Sequence, residues 1–301
     1  MLHLTAGIFG NAEFAKKLGK QGTANDLIVY NHGSSEGVFT YVAVNSEKVQ
    51  SLLQAINMID VPVFVLNELN AVVGEQIVAV AEFGFEHGFF ILEGVSEEQI
   101  KPIIKGTCLE NFSVVAGHVE LTEELKKLNI HRLSDKLKVP IDNYFDVKSV
   151  GTVILGIVKS GTVKKYDKVI VEPIGTEVTI KGIQSQDKDI ESADVGTRVG
   201  LNLKGIEADD LKRGYVVGSM EKTKHLKLNF SKSKYTKEHL KENDPVFVCS
   251  GLQVVVGKIA AGNPLTLDLE STITYDKHTK FLIASTKQAA PRIIGHGTLA
   301  V

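Results

Sequence analysis

From Leu2 onward, short runs of β-branched and aromatic residues alternate with stretches whose apolar positions recur every three or four residues. LHLTAGIF, DLIVYN, FTYVAV, PVFVLN, GFFILEG and FSVV have the length and composition of strands. Val49, Leu52, Leu53, Ile56 and Ile59 share one helical face behind Ser46, the expected N-cap. A second helix is expected after Ser96, where S-E-E-Q has capping-box spacing, and a third over LTEELKKLNIHRL. Apolar strands separated by helices belong in a mostly parallel sheet covered on both faces. Residues 1–135 are therefore expected to form an α/β domain.

Beyond Lys138 the period changes. GTVILGIVKSG, DKVIVEP, TEVTIKGIQ and TRVGLNLKG are β-branched, glycine-punctuated and almost free of helical periodicity, the pattern of an all-β barrel over residues 136–220. KHLKLNF, DPVFVCSG, LQVVVGKI, KFLIAST and RIIGHGTLAV continue it, which makes residues 221–301 a second barrel. The length of 301 residues suits two or three domains.

Charge sharpens this division. Up to Asp135 there are 9 Lys and Arg against 17 Asp and Glu, whereas the remainder holds 25 against 19. The basic excess concentrates between Lys212 and Lys241, which includes Arg213, Lys224, Lys227 and Lys232. Such a run is either a solvated face or a surface for a polyanion, RNA above all. The hydrophobic fraction of 43% is that of an ordinary globular protein. The apolar opening lacks a preceding basic segment and is soon interrupted by Asn11, Glu13 and Lys16, so a first strand rather than a signal peptide is expected, in a cytoplasmic protein with no membrane partner. Cys108 and Cys249 stand apart, without zinc or disulfide spacing, and are expected to be buried or inert. The nine histidines show no metal-ligand spacing, and His296 is expected to be packed or solvated rather than catalytic.

One segment raises a chemical question. GIFGNAEFAKK, Gly7 to Lys17, follows a strand and opens a helical stretch, where a nucleotide-binding protein places its phosphate loop. That loop works through free backbone N–H groups, a lysine and a magnesium-binding hydroxyl. Superimposing its spacing on Gly7 and Gly10 puts Ala12 at the second glycine, Glu13 at the lysine and Phe14 at the hydroxyl. An acid behind Asn11 as N-cap suits a helix dipole instead. A dinucleotide fingerprint is the competing reading, but its third glycine would be Glu13 and the next strand ends in Asn31 rather than an acid.

Val139 to Ser219 carries a resemblance. Gly151-Thr152-Val153, Ser160 to Lys164, Asp167, the turn Gly196-Thr197-Arg198 and Arg213-Gly214 occur in the order seen in the second domain of translation elongation factors, and this segment is most similar to SelB, the selenocysteine-specific relative of elongation factor Tu. The resemblance implies a GTPase-like parallel α/β domain followed by two β-barrels. It aligns Asn67-Glu68-Leu69-Asn70 with the guanine-reading N-K-x-D motif, so Glu68 replaces Lys and Asn70 replaces Asp. The D-x-x-G turn is missing, its nearest candidate being YNHGSSEG at Tyr30 to Gly37, and the first switch loop has no room. The whole chain resembles pseudo-GTPase paralogues of elongation factor 1-alpha and SelB from methanogenic archaea. Lost GTP hydrolysis and no bound GTP or magnesium are the expectation, and the last residue, Val301, implies no SelB-type C-terminal extension.

By the same resemblance Asp142, Asn143 and Arg198 fall where SelB-type factors surround an aminoacyl group, Asn143 in place of an arginine, and Lys204 matches a basic residue near the tRNA end in elongation factor Tu. The residues alone also allow Asp142 and Arg198 to be a structural ion pair at the barrel rim. The expected partners are tRNA or ribosomal RNA, not DNA, with a translation-machinery protein as a further possibility, bound by a monomer. A protein-interaction module docking on a translation or ribosome-associated partner and a divergent nucleotide-binding protein are the alternative readings.

Overall fold

A computed structural model describes residues 2–132, 136–237, 240–287 and 290–300. The first unit is a sheet of β1 (Leu2–Gly10), β2 (Lys20–Ala24), β3 (Leu27–Gly33), β4 (Gly37–Val44), β5 (Val61–Leu66), β6 (Phe89–Leu92) and β7 (Ser113–Val114). Their order is β2-β3-β4-β1-β5-β6-β7. Pairings from β4 to β7 are parallel, and the two at the β2 edge are antiparallel.

Helices α1 (Val49–Met58), α2 (Ala71–Phe83) and α3 (Glu97–Ile104) cover one face with Leu53, Ile56, Ile77 and Ile100 packed on Phe9, Phe64 and Phe90. The other face takes Leu121 and Leu125 of α4 (His118–Lys127), with Phe14 and Leu18 from the segment after β1. Both sides of the sheet are apolar because both are covered.

Three local expectations change. α1 starts at Val49 with its apolar period, but Lys48 rather than Ser46 is the N-cap, and the Ser46 hydroxyl is spent on the Lys48 amide at 3.2 Å in the preceding turn. The last helix begins at His118 and stops at Lys127, because Leu128 turns to extended backbone, and Leu128 and Ile130 reach the core from outside the helix. Leu133, the end of that expected helix, lies outside the described residues. The stretch after Gly10 is a six-residue 3-10 helix, Ala12–Lys17, rather than an α-helix. By contrast, Ser96 and Gln99 form the reciprocal capping box.

The second unit contains β8 (Val139–Val147), β9 (Gly151–Ile157), β10 (Val163–Lys164), β11 (Lys168–Glu172), β12 (Thr176–Ser185), β13 (Lys188–Ile190), β14 (Ser192–Ala193), β15 (Arg198–Lys204) and β16 (Val216–Val217). Its main sheet runs β11-β16-β8-β9-β15-β12-β13, and β11 also pairs with β12, which closes it around Val139, Ile154, Ile180 and Leu201. The third unit is a closed barrel, β17-β20-β19-β18-β21-β22, of β17 (Glu221–Lys232), β18 (Pro245–Ser250), β19 (Gln253–Gly262), β20 (Leu265–Tyr275), β21 (Phe281–Ser285) and β22 (Ile293–Leu299). β20 is absent from the expected strands, although Leu265, Leu267 and Leu269 alternate inward between polar neighbours. The architecture is thus an α/β unit followed by two β-barrels.

The last barrel and the first unit share a core. Cys249, Leu252, Leu282, Ala284 and Ile293 belong to the same buried cluster as α1 and α2. Polar contacts frame it: Gln54 donates to the Leu252 carbonyl at 2.9 Å, Lys280 to the Phe83 carbonyl at 2.7 Å, and Arg292 pairs with Glu75. His296 pairs with Glu82 at 2.8 Å, so it is packed into this junction. Burial pushes the Cys249 thiol well above its usual range, consistent with an inert core residue, and raises the half-buried Cys108 as well.

Candidate functional site

The candidate phosphate loop starts where β1 ends. Gly10 has φ +75°, and a Cβ there would come within 2.2 Å of the Val65 carbonyl oxygen, so glycine is required on both counts. Its amide donates to Gln76 Oε1 of α2 at 2.8 Å, and the Asn11 amide donates to the Val65 carbonyl at 2.9 Å. The Glu13 and Phe14 amides turn back to the Asn11 side chain and carbonyl, each at 3.2 Å. Asn11 is the N-cap and Glu13 stands in the first turn, as the sequence suggests. Glu13 is exposed and paired with Lys16, while Phe14 is buried under the sheet. Gly7 packs beneath Ile59, whose Cδ1 would lie 2.7 Å from an added Cβ.

The segment aligned with the guanine-reading motif is also occupied. Asn70 caps α2, its Oδ1 accepting from the Val73 amide at 2.9 Å, and its Nδ2 donates to Glu68 Oε1 at 2.7 Å. The Asn67 carbonyl packs against Gly94, where a Cβ would approach it to 2.2 Å. YNHGSSEG forms the β3–β4 hairpin, in which the Ser34 hydroxyl accepts from the Glu36 and Gly37 amides at 3.3 and 3.2 Å.

In the second unit the structure brings Asp142 and Arg198 together. The β8–β9 register shifts between Ile141 and Asn143, which turns the buried Asp142 side chain out of the regular ladder. Arg198 opens β15 on the other side of β9. Its Nη1 and Nη2 donate to the two carboxylate oxygens at 2.5 and 3.1 Å, and the side chains are only 9% and 4% exposed. Asn143 is adjacent, but its Oδ1 accepts from the Tyr144 amide at 3.0 Å.

Arg198 also borders a cleft of about 340 Å³ between the β2–β3 edge and β12–β15, lined by Lys20, Thr23, Asn31, Gln184 and Asp187. Asn31 Oδ1 is buried without a hydrogen-bond partner among the described residues. These lining residues come from β2, β3, β12 and the β12–β13 turn, and no local motif announced them. Lys204 is exposed at the far end of β15, so the structure does not bring it to Arg198.

The basic run divides. Lys212, Arg213 and Lys224 line a groove of about 410 Å³ between the barrels, together with Tyr215, Gln253 and Glu270. Arg213 is committed there to Asp26 of the first unit at 2.6 Å, and Ser51 donates to the same carboxylate at 2.7 Å. Burial alone would raise the Asp26 carboxyl, but the hydrogen bonds from Ser51 and Arg213 and the Arg213 charge hold it below its ordinary value. Lys227 and Lys232 are exposed on β17, outside that groove. No group of three His, Cys, Asp or Glu side chains disposed to hold a metal occurs among the described residues. Nor, among them, is any helix long and apolar enough to cross a membrane.

Comparison with known proteins decides the family. Elongation factor Tu domain 2 matches residues 151–218. An uncharacterized protein of Methanocaldococcus jannaschii is 35% identical over 306 residues, covering 98% of this chain and 99% of that protein. The selenocysteine-specific elongation factor of the same organism is 32% identical over 169 residues, 56% of this chain and 35% of its own length. The chain belongs to the translation elongation factor family. Its fold matches the crystal structure of translation elongation factor SelB from Methanococcus maripaludis in complex with the GTP analogue GppNHp, with a TM-score of 0.85 and 20% identity over 99% of this chain and 79% of that one. The chain thus spans nearly the whole of one relative and about a third of the M. jannaschii selenocysteine-specific factor. Arg198, Lys204, Lys212 and Arg213 fall inside the elongation-factor match, whereas Asp142 and Asn143 precede it.

Proposed function

We propose that this elongation factor family member binds the aminoacylated end of tRNA, or another structured RNA, without binding GTP or magnesium and without hydrolysing GTP. The observation that carries the nucleotide half is the commitment of the Gly10 and Asn11 amides to Gln76 and Val65. A triphosphate would have to displace these bonds, each worth about 0.5–1.5 kcal/mol net, and then meet Glu13 where a cation is required. A like-charge pair at 4 Å costs about 1 kcal/mol in water and several times that near a protein surface. Isothermal titration calorimetry with magnesium present is expected to give no heat of specific binding for GTP or GDP. Micromolar affinity with selectivity over ATP would overturn the nucleotide half.

The RNA half draws its support from the cleft beside Arg198 and from the exposed lysines. An aminoacyl ester presents a protonated α-amine and a carbonyl, which a carboxylate and a guanidinium can recognise. Asn143 offers a donor and an acceptor without charge, so the pocket suits a neutral side chain better than an anionic selenolate. Neutralised phosphates release counterions, so affinity should fall with salt by a slope of about 0.7–0.9 per contact. Reversing the charge of Lys224, Lys227 and Lys232 is expected to flatten that slope in filter-binding titrations. An unchanged slope would assign those lysines to solubility.

A second reading, docking of the acidic first unit on a protein of the translation machinery, is favoured by the exposed Leu69, Val72 and Val119. Crosslinking in the native host separates it: protein recovered without RNA would favour docking.

A further inference from the structure

Tyr166 is an aromatic residue in a position that aromatic residues avoid. It sits between β10 and β11 with φ +71°, where a bulky side chain is strained and glycine is at home, yet the residue is 64% exposed rather than packed. Strain kept at an exposed position, with no burial to offset it, points to a use for the ring. Lys165 holds its ammonium 5.2 Å from the ring centroid.

The strands around this turn carry further exposed cations. Lys168 lies opposite Thr179 of β12, and Thr179 lies opposite Lys204 of β15, so these two lysines flank one row. The Tyr166 amide donates to the Ile180 carbonyl at 2.7 Å and the Ile180 amide donates to the Asp167 carbonyl at 3.0 Å, so Tyr166 and Asp167 together oppose Ile180 as a bulge, and the exposed Lys181 is the next residue of β12. Lys164, two residues before Tyr166, is also exposed. Asp167, Glu177 and Glu191 sit among them. Asp167 is spent on the Lys164 amide at 2.9 Å, Glu191 on Lys165 at 3.2 Å, and Glu177 lies 3.7 Å from Lys168. Lys164, Lys181 and Lys204 form no ion pair among the described residues, which leaves them available to an anion.

We propose that Tyr166 is a stacking platform for an unpaired RNA base, whose flanking phosphates are held by Lys164, Lys181 and Lys204. This rests on the reading that the chain binds RNA and gives that reading a second contact, separate from the Asp142–Arg198 pair. Arg198 and Lys204 end the same strand, and six residue steps at about 3.3 Å put the two contacts about 20 Å apart. A π-face accepts any base, so the platform selects unpaired over duplex RNA rather than one sequence. It also gives the exposed Lys204 a role that its distance from Arg198 denies it at the aminoacyl pair.

The chain contains no tryptophan, so Tyr166→Trp installs a single indole at the platform. Its fluorescence is expected to be quenched on titration with single-stranded oligoadenylate and not with duplex RNA of the same length, at an affinity no weaker than that of the unmodified protein. Tyr166→Gly relieves the backbone while removing the ring. It is expected to keep or raise the melting temperature and to bind oligoadenylate about five- to a hundredfold more weakly, the loss of one base–aromatic stack. Unchanged oligoadenylate affinity in Tyr166→Gly, with RNA still bound, overturns the platform but not the wider reading. An unmodified protein that binds no RNA at all overturns both. Equal quenching by polyglutamate, showing an acidic peptide to be the occupant, also overturns the platform.

Discussion

Arg292→Ala is expected to destabilise the protein by about 3–5 kcal/mol, the usual cost of leaving a buried charge without its partner. Glu75, on α2, is buried, its side chain 6% exposed. Arg292 donates from Nε at 2.9 Å and from Nη2 at 2.5 Å to its two oxygens, and the Arg292 amide adds a third bond at 2.7 Å. The substitution keeps the amide bond and strips both charged donors from a carboxylate with little access to water. Because the last barrel shares its core with α1 and α2, the loss should appear as one cooperative transition at lower denaturant or temperature. Arg292 also donates to the Glu47 carbonyl, so the same change loosens the start of α1. A loss below about 1 kcal/mol, the range of an exposed pair, would show that this junction is not a buried electrostatic contact.

The consequence reaches the candidate phosphate loop. Gln76, the neighbour of Glu75, is the residue that occupies the Gly10 amide. α2 thus clamps the closed loop with one side chain and the last barrel with the next. Opening the loop to a phosphate would disturb a helix already held from both sides.

Arg198→Ala is expected to abolish any preference for charged over uncharged tRNA. A hydrogen bond to a charged group is worth about 1.5–3 kcal/mol, so the lost discrimination is roughly ten- to a hundredfold. The same substitution leaves Asp142 buried and unpaired, and a stability loss will accompany it. Arg198→Lys separates the two effects: it keeps a cation near the carboxylate but loses the two-pronged geometry. It is expected to fold and to lose most of the discrimination, with the salt slope intact. Full discrimination in a folded Arg198→Lys protein would leave Asp142 and Arg198 as a structural rim pair.

Much of the fold was legible because its signals are local. The apolar face of α1 and the reciprocal Ser96–Gln99 cap each need fewer than a dozen consecutive residues to be read. β20 alternates as clearly as any strand, yet its Asp268 and Glu270 make it polar by composition, and a search for β-branched runs passes over it. The apolar period continued through Leu128 and Ile130 although the helix did not, since extended backbone can present the same side chains to a core.

The candidate sites were less legible for a different reason. Asp142 and Arg198 are 56 positions apart and meet because β8 and β15 both flank β9, so their pairing came from family resemblance rather than spacing. Gln76 reads as one polar residue on a buried helix, with nothing to connect it to Gly10, 66 positions away. Counting lysines across Lys212 to Lys241 could not reveal that Arg213 is held by Asp26. Tyr166 carries its signal in a backbone angle that the sequence does not display.

The central claim is RNA-end recognition uncoupled from nucleotide, and its most direct test is a titration of the full chain with aminoacylated and deacylated tRNA, each with and without GTP and magnesium. Tighter binding of the aminoacylated form, by the same factor whether or not GTP is present, is the predicted result. Equal affinity for the two forms, or a preference that emerges only with GTP, would contradict it.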